Sequence, residues 1–411
     1  MTTTSTPAAP AATAAKGPLH GVRILDLTTV VLGPYATQIL GDYGADVIKV
    51  EALDGDLMRA NGVSRNPGMS SIFQSINRNK RSVAVDLKNP EGRKLFLKLA
   101  AGVDVVVHNM RIAAIERLGL GYEAVRAVNP QVLYCAATGF GQDGPHHAKP
   151  CFDDITQAAS GLASLVRRET GTAGYVPALI ADKTAGLALV NALLAALFHR
   201  ERSGQGQYVE VPMFETLVAF NLAEHMGGMA FEPQLGPAGY GRIIGGRKPV
   251  PTTDGYAAIL PYSPAQWDKL FRRIGREDII AKYDFSDRYK LNATVRQLYA
   301  ELHAIGPSRS TGEWMAICEE LDLPSTPVYE LEDLPEHPHL KAVGLFQEAD
   351  QPGEGRVRYM RPPARFEGSP AGVRMLAPHL AQDTAEVLGE FGYSAADIAA
   401  LEAGGAVSVR R

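Results

Sequence analysis

Asp182 has the most direct chemical potential in this chain. It stands in Ile180-Ala181-Asp182-Lys183-Thr184-Ala185-Gly186, at the head of a long apolar helical stretch that runs to about Arg202. A carboxylate there reads as an N-cap, accepting the free backbone N–H groups of the first turn. The same donors and the helix dipole would hold it ionised. An ionised, oriented carboxylate is also a nucleophile, so both roles stay open on pattern alone.

Cations form the second group. Asn77-Arg78-Asn79-Lys80-Arg81-Ser82 carries three of them directly before a strand, and Arg111 and Arg117 follow another. Such a cluster is either a solvated loop or a grip for phosphoryl oxygens, which guanidinium and ammonium groups complement. The turn Thr28–Pro34 sits where a nucleotide-binding turn would, with Glu51 where a ribose-binding acid would follow. It has one glycine where the dinucleotide fingerprint needs three, so a structural βαβ unit or a different adenine-containing ligand is favoured over NAD. The histidines give no metal pattern: His146-His147 are adjacent, His337-Pro338-His339 lies in a proline-rich loop, and no HExxH or CxxC accompanies them. There is likewise no G-x-S-x-G elbow or Walker loop.

The elements that must position these residues alternate. Strand patterns at Val22–Leu27, Ala45–Val50, Ser82–Leu87, Val103–His108 and Val132–Ala137 are separated by helical ones, such as Tyr35–Tyr43 and the helix begun by Asn89-Pro90. This predicts a doubly wound, mostly parallel sheet. Ligands bind such sheets beyond the carboxyl ends of the strands, which points to Thr28–Pro34, His108–Arg111 and Thr138–Pro145. A strand at Tyr208–Val211 follows the long apolar helix. The glycine-rich stretch from Gly236 to Arg247 reads as a mobile connection, and a small separate module follows it. The boundaries expected are a disordered tail at 1–18, a large domain over 19–225, a small domain with the glycine-rich loop over 226–330, and a linker and return to the large domain over 331–411.

Composition narrows the class. Forty-one basic against 45 acidic residues give a net charge of −4, with none of the basic excess of a nucleic-acid binder. The 411 residues are 45% hydrophobic and 21% charged, enough for a sizeable core. Cys135, Cys151 and Cys318 form no disulfide framework, which suits a reducing cytosol. The apolar run Leu187–Phe198 is too short to span a bilayer, and the arginine-free start reads as a disordered tail in preference to a transit peptide. Cytoplasmic location and no membrane or nucleic-acid partner are therefore expected.

Several ordered segments together resemble the class III CoA-transferase family, which includes formyl-CoA and crotonobetainyl-CoA transferases and 2-methylacyl-CoA racemases. They are GVRILDLTTVVLGPYATQILGDYGADVIKVE, NRNKRSVAVDLKNPEG, HNMRIAAIERLGLGYE, ATGFGQDGP, FDDITQAASG, ADKTAGLALVNALLAALFHRERSGQGQYVEVPM and APHLAQDTAEVLGEFGY. The likeness runs from about Gly21 to Val407. It implies an α/β fold: a Rossmann-like, doubly wound large domain built from both chain ends, with a smaller inserted α+β domain, in an intertwined homodimer. It also implies that Asp182 is the catalytic carboxylate, attacking an acyl-CoA thioester and passing CoA to a small carboxylic acid through a covalent aspartyl intermediate. The CoA-binding positions implied are Val30, Asn109, Met110 and Arg117, with Asn77, Lys80 and Arg81 in the family's basic motif. Coenzyme A and acyl-CoA are then substrates, with no tightly bound cofactor and no metal.

For the acyl pocket, Tyr35 and Tyr240 are candidate walls, and Arg242 or Arg247 a candidate clamp for the acceptor carboxylate. The stretch Gly236–Gly246 is either a covering loop or an interdomain linker. Racemases of the family carry a histidine where this chain has Phe152, and a phenyl ring cannot exchange a proton. Formyl-CoA transferases carry a glutamine at the position of Val31 and a run of glycines at Gly239-Tyr240-Gly241-Arg242, and the family's arginine after the second strand is Ala52 here. The reading is thus an acyl-CoA:carboxylate CoA-transferase, with a racemase or a catalytically silent CoA-binding protein as alternatives.

Overall fold

The computed structural model describes residues 16–410. Of the expected tail, residues 1–15 lie outside the described residues, but Gly17 and Pro18 are built into the fold. A Cβ at Gly17 would meet the Tyr43 carbonyl oxygen at 2.4 Å, and Leu19 N–H donates to that same carbonyl at 2.8 Å.

Seven strands make the main sheet: β1 (Arg23–Leu27), β2 (Asp46–Glu51), β3 (Lys80–Val85), β4 (Val105–His108), β5 (Leu133–Thr138), β6 (Gln207–Pro212) and, from the end of the chain, β12 (Val407–Ser408). Their order is β12-β3-β2-β1-β4-β5-β6. All pairs are parallel except β12 with β3. The chain winds outward from β1 to β3, then crosses over to β4, so the carboxyl ends of β1 and β4 lie side by side at the switch in winding direction. That is where such sheets open a crevice.

Alternation along the strands separates two buried faces. Leu25, Leu27, Ile48, Val50, Val83 and Val85 join an apolar core with Leu95, Phe96, Leu99, Val387 and Leu388 of the helices Pro90–Ala100 and Thr384–Glu390. The residues between them, Asp26, Lys49, Glu51, Lys80 and Ser82, are equally buried but polar. Lys80 pairs with Asp26 at 3.2 Å and Ser82 donates to Glu51 at 2.6 Å within this face, while Lys49 pairs with Asp56 of the turn after β2 at 2.8 Å. The first helix runs Leu32–Asp42, starting three residues earlier than its spacing predicts. Pro34 falls in its first turn, where a missing N–H costs nothing.

The long helix Ile180–Ser203 contributes a buried stripe of Ala181, Asp182, Ala185, Gly186, Leu189, Val190, Leu193 and Ala196, and ends at Gly204 with φ +70°. Glycine suits that left-handed cap. At 24 residues the helix is longer than the apolar run expected from sequence, and by length and composition alone it could cross a membrane. Here it packs on the first helix and on β5 and β6.

Among the described residues the chain divides into two compact units. The first holds residues 16–159, Ala178–Leu217 and 341–410; the second holds Ser160–Pro177 and Val218–Leu340. The changes of unit fall at 217/218 and 340/341, where the sequence pattern suggests 225/226 and 330/331, and Ser160–Pro177 goes with the second unit. The first unit also carries the antiparallel hairpin of β10 (Phe346–Gln351) and β11 (Gly355–Met360). The second unit has an antiparallel sheet of β7 (Val250–Pro251), β8 (Tyr256–Ile259) and β9 (Ser325–Pro327). Helices whose Trp267, Phe271, Leu298, Tyr299 and Trp314 fill its core pack around that sheet.

Candidate active site

A cleft of about 210 Å³ opens at the carboxyl ends of β1, β4 and β5. Thr29, Val30 and Leu32 line it on one side, Asn109, Met110 and Arg111 on another, and the loop after β5 supplies Gly139, His147, Lys149, Cys151 and Phe152. Asp182 is part of its wall.

Asp182 lies in the first turn of the long helix, but it is not the cap. The N-cap position is Leu179, which offers no side-chain hydrogen bond. Capping comes from another helix: Asp153 Oδ1 accepts the N–H groups of Ala181 at 2.9 Å and Asp182 at 3.3 Å. Gln157 Nε2 donates to Asp153 Oδ2 at 3.0 Å and to the Ala178 carbonyl at 3.3 Å, fixing the Asp153 carboxylate in place. Asp182 is only 8% exposed. Burial, reinforced by the charge of Asp153, pushes its carboxyl up to about 7. The expectation of a carboxylate held ionised by helical N–H donors is therefore reversed. Those donors serve Asp153, and Asp182 is left desolvated and basic.

The walls are rigid for identifiable reasons. Asn109 mimics a strand partner, accepting from Thr29 N–H at 2.9 Å and donating to the Thr29 carbonyl at 2.8 Å. Val30, next in line, has φ +69°, a conformation costly for a β-branched residue. Lys49 and Asp56 hold it there from below: Lys49 Nζ donates to the Thr28 carbonyl at 2.8 Å, and Asp56 Oδ1 accepts from Val30 N–H at 3.3 Å. Across the cleft, Glu215 and Glu210 pin the loop after β5 by accepting the N–H groups of Gly141 and Gln142 at 2.9 and 3.0 Å. Gly139 is a steric necessity, since a Cβ there would lie 2.3 Å from that of Cys151. Gly33, the single glycine of the first turn, has the same kind of role against Thr28, at 2.2 Å.

Of the residues predicted from sequence, the structure brings Val30, Asn109, Met110 and Asp182 together in this cleft. Asn77, Lys80 and Arg81 are not at its surface, which corrects the phosphate-grip expectation. Lys80 Nζ is enclosed by Asp26, the Pro34 carbonyl and Asn77 Oδ1 at 2.9–3.2 Å, and burial pushes its ammonium down to about 8. Arg81 binds Asp46 and Glu390, which hold its guanidinium firmly charged. Arg78 clasps Asp42 with two hydrogen bonds of 2.9 and 2.6 Å. The motif ties helices and strands together.

Arg117 is exposed at the end of the short helix Ile112–Arg117 and does not line the cleft. Tyr35 is half-buried and packs toward Gly186 of the long helix, where a Cβ would come within 3.1 Å of its ring. Tyr240, Arg242 and Arg247 belong to the second unit. Arg242 and Arg247 stand over the Tyr262 ring at 5.1 and 5.9 Å. The glycine-rich stretch around them is tethered, correcting the expectation of a mobile connection. Gly239 and Tyr240 donate to His225 at 2.9 and 3.0 Å, Arg296 donates to the Gly241 carbonyl at 3.0 Å, and Glu169 accepts from Gly245 N–H.

Sequence reasoning missed Asp153 as the partner of Asp182, and Lys149 as a cleft cation. Asp153 was signalled only by its place in the FDDITQAASG segment. Lys149 had no signal beyond its loop.

Residues 19–384 match CoA-transferase family III, and the chain belongs to that family and is an enzyme of its class. It is 33% identical to a protein named a probable fatty acyl-CoA transferase from Mycobacterium tuberculosis, over 85% of this chain and 92% of that one. It is 32% identical to a succinyl-CoA:mesaconate CoA-transferase from Haloarcula hispanica, over 92% and 97%. A crystal structure of a CaiB/BaiF family protein from Brucella suis superposes with a TM-score of 0.78 at 29% identity, covering 92% of this chain and all of that one.

Proposed function

We propose that this protein moves coenzyme A from an acyl-CoA donor to a carboxylic acid through covalent intermediates on Asp182. The observation that carries this reading is a carboxyl raised to about 7 in the wall of the switch-point cleft. A carboxylate that burial makes more basic is a better nucleophile, and half of it is ionised near neutrality.

Asp182 attacks the donor thioester carbonyl, giving a mixed anhydride and CoA thiolate. The thiolate attacks the aspartyl carbonyl of that anhydride, forming an Asp182–CoA thioester and releasing the donor acid. The acceptor carboxylate then attacks this thioester, giving a second anhydride and CoA thiolate. The thiolate takes the acceptor acyl group and Asp182 is regenerated. Each step exchanges one acyl bond for another, so thioester energy is kept provided water is excluded. Val30, Asn109 and Met110 receive CoA in the cleft, and Arg117, exposed outside it at the end of its short helix, meets the nucleotide end.

An intertwined homodimer fits the exposed apolar side chains of the long helix, Leu187 (48%) and Phe198 (63%). A cytosolic location fits three free thiols. Phe152, 65% exposed in the cleft wall, disfavours the racemase reading because it cannot carry a proton.

The test is intact-protein mass spectrometry after mixing the enzyme with acyl-CoA donors and hydroxylamine, followed by peptide mapping. A donor-dependent hydroxamate on Asp182 is expected, and absent in Asp182→Asn. Absence of any adduct while CoA still binds would leave a silent CoA-binding protein as the better description.

A further inference from the structure

The cleft around Asp182 carries two cations that the CoA-transfer chemistry above does not use. Arg111 and Lys149 both line it, and among the described residues neither has an acidic partner within salt-bridge distance. Facing them is one carboxyl that is half protonated near neutrality. The side chains that line the cleft therefore include two cations against one carboxyl, and cations without acidic partners attract anionic oxygen.

The two cations sit on different walls. Arg111 follows Asn109 and Met110, the segment that grips Thr29 beside Val30, so it belongs to the side assigned to CoA. Lys149 belongs to the side of the reacting acyl group. It is followed directly by Pro150, Cys151 and Phe152, which line the same cleft. The Cys151 thiol is pushed up by burial and also by the charge of Asp182. Asp153, next after Phe152, accepts Asp182's own N–H. The loop geometry sorts the side chains: Lys149 N–H donates to the His146 carbonyl at 2.8 Å. The His146 ring packs against Phe140 at 5.6 Å, while His147 and Lys149 face the cleft. Pinning of the loop base by Glu210 and Glu215 keeps this arrangement fixed.

We propose that Lys149 selects dicarboxylic substrates, its ammonium holding the free carboxylate of a short diacid while the other end exchanges CoA at Asp182. The proposal rests on the transferase reading for the reacting end. The volume of about 210 Å³ suits an acyl chain of a few carbons. Lys149 is exposed at the rim of the cleft, so its ammonium meets the free carboxylate of a diacid where that end leaves the cleft, and steers diacids over monoacids by charge.

The experiment compares wild type, Lys149→Met and Lys149→Arg for equilibrium binding of succinyl-CoA, butyryl-CoA and free CoA by calorimetry. It also compares kcat/KM for glutarate against valerate as acceptors. In wild type succinyl-CoA binds tighter than butyryl-CoA. Lys149→Met lowers the diacid-to-monoacid ratio by about 2- to 5-fold, the value of one solvent-exposed ion pair, and Lys149→Arg restores most of it. An unchanged ratio in Lys149→Met overturns the proposal, as does no wild-type preference for succinyl-CoA. Weakened binding of free CoA with the ratio intact overturns it too, and assigns Lys149 to a CoA phosphate. Binding is read without turnover, so an inactive wild type that still prefers succinyl-CoA would defeat the transferase reading and keep this one. Lys149 is exposed, and matching urea midpoints establish that the variants are folded.

Discussion

Replacing Asp182 by an asparagine should make the protein more stable while ending its chemistry. The carboxyl rises from an ordinary 3.8 to about 7 on folding. Between those two values the folded protein keeps a proton that the unfolded chain has released. Stability therefore falls as pH climbs through that window and levels off above about 7. A shift of about 3 units corresponds to about 4 kcal/mol at pH 8, and to under about 2 kcal/mol at pH 5 where little of the window has been crossed. The carboxamide of the variant has no proton to lose, so Asp182→Asn should gain that difference as pH rises. The assay is urea unfolding of both proteins from pH 5 to pH 8, with the first unit followed by hydrogen exchange at the N–H groups of β1 and β4. An advantage for the variant that grows by about 2–3 kcal/mol across this range is expected. A stability difference that stays flat with pH would refute the reasoning, because it would mean that Asp182 titrates as an ordinary surface carboxylate.

Asp153→Asn keeps an oxygen for the Ala181 and Asp182 N–H groups but removes a neighbouring charge, so the rising limb of the kcat/KM–pH profile should move to lower pH; an unmoved limb would show that Asp153 does not act on Asp182. Asp153→Ala loses the cap as well and should cost a further ~1 kcal/mol in unfolding free energy. Arg81→Met, which leaves Asp46 and Glu390 with Arg23 as their remaining cation, should lower the urea midpoint by the equivalent of about 1 kcal/mol, with CoA affinity by calorimetry unchanged in the folded protein. Val30→Gly should relieve the positive φ and raise stability by about 1 kcal/mol, while loosening CoA binding through a less fixed wall.

The parallel sheet was legible because its strands are short β-rich runs between helical patterns, and the crevice followed from β1 and β4 lying at the switch in winding. Asp182 was legible for its residue type at the head of an apolar helix. Its protonation was not, because the residue that takes its N–H lies 29 positions upstream and no local spacing links the two. The basic motif misled for the same reason. Three cations in six residues read as a loop, whereas β3 begins at Lys80. The carboxylates that neutralise them are Asp26, Asp42 and Asp46, each brought in by a different element. A polar buried face alternating with an apolar one looks, in sequence, like a strand with one side in water.

The partners of that basic motif also bear on how the chain comes to fold. Asn79 donates to the Gly372 carbonyl, Ser82 N–H to Asp383, and Arg81 to Glu390, 309 residues later; β12 then closes the sheet edge along β3. At about 5–20 residues per second, a ribosome needs roughly 15–60 s to deliver Glu390 after Arg81. Throughout that interval β3 has an open edge and Arg81 lacks one of its carboxylates. The first half of the sheet is thus a dependent intermediate during synthesis, exposed to association with other chains. Shortening the protein by its last thirty residues would remove Asp383, Glu390 and β12 together, and so would injure the amino-terminal strands more than the segment beside the cut.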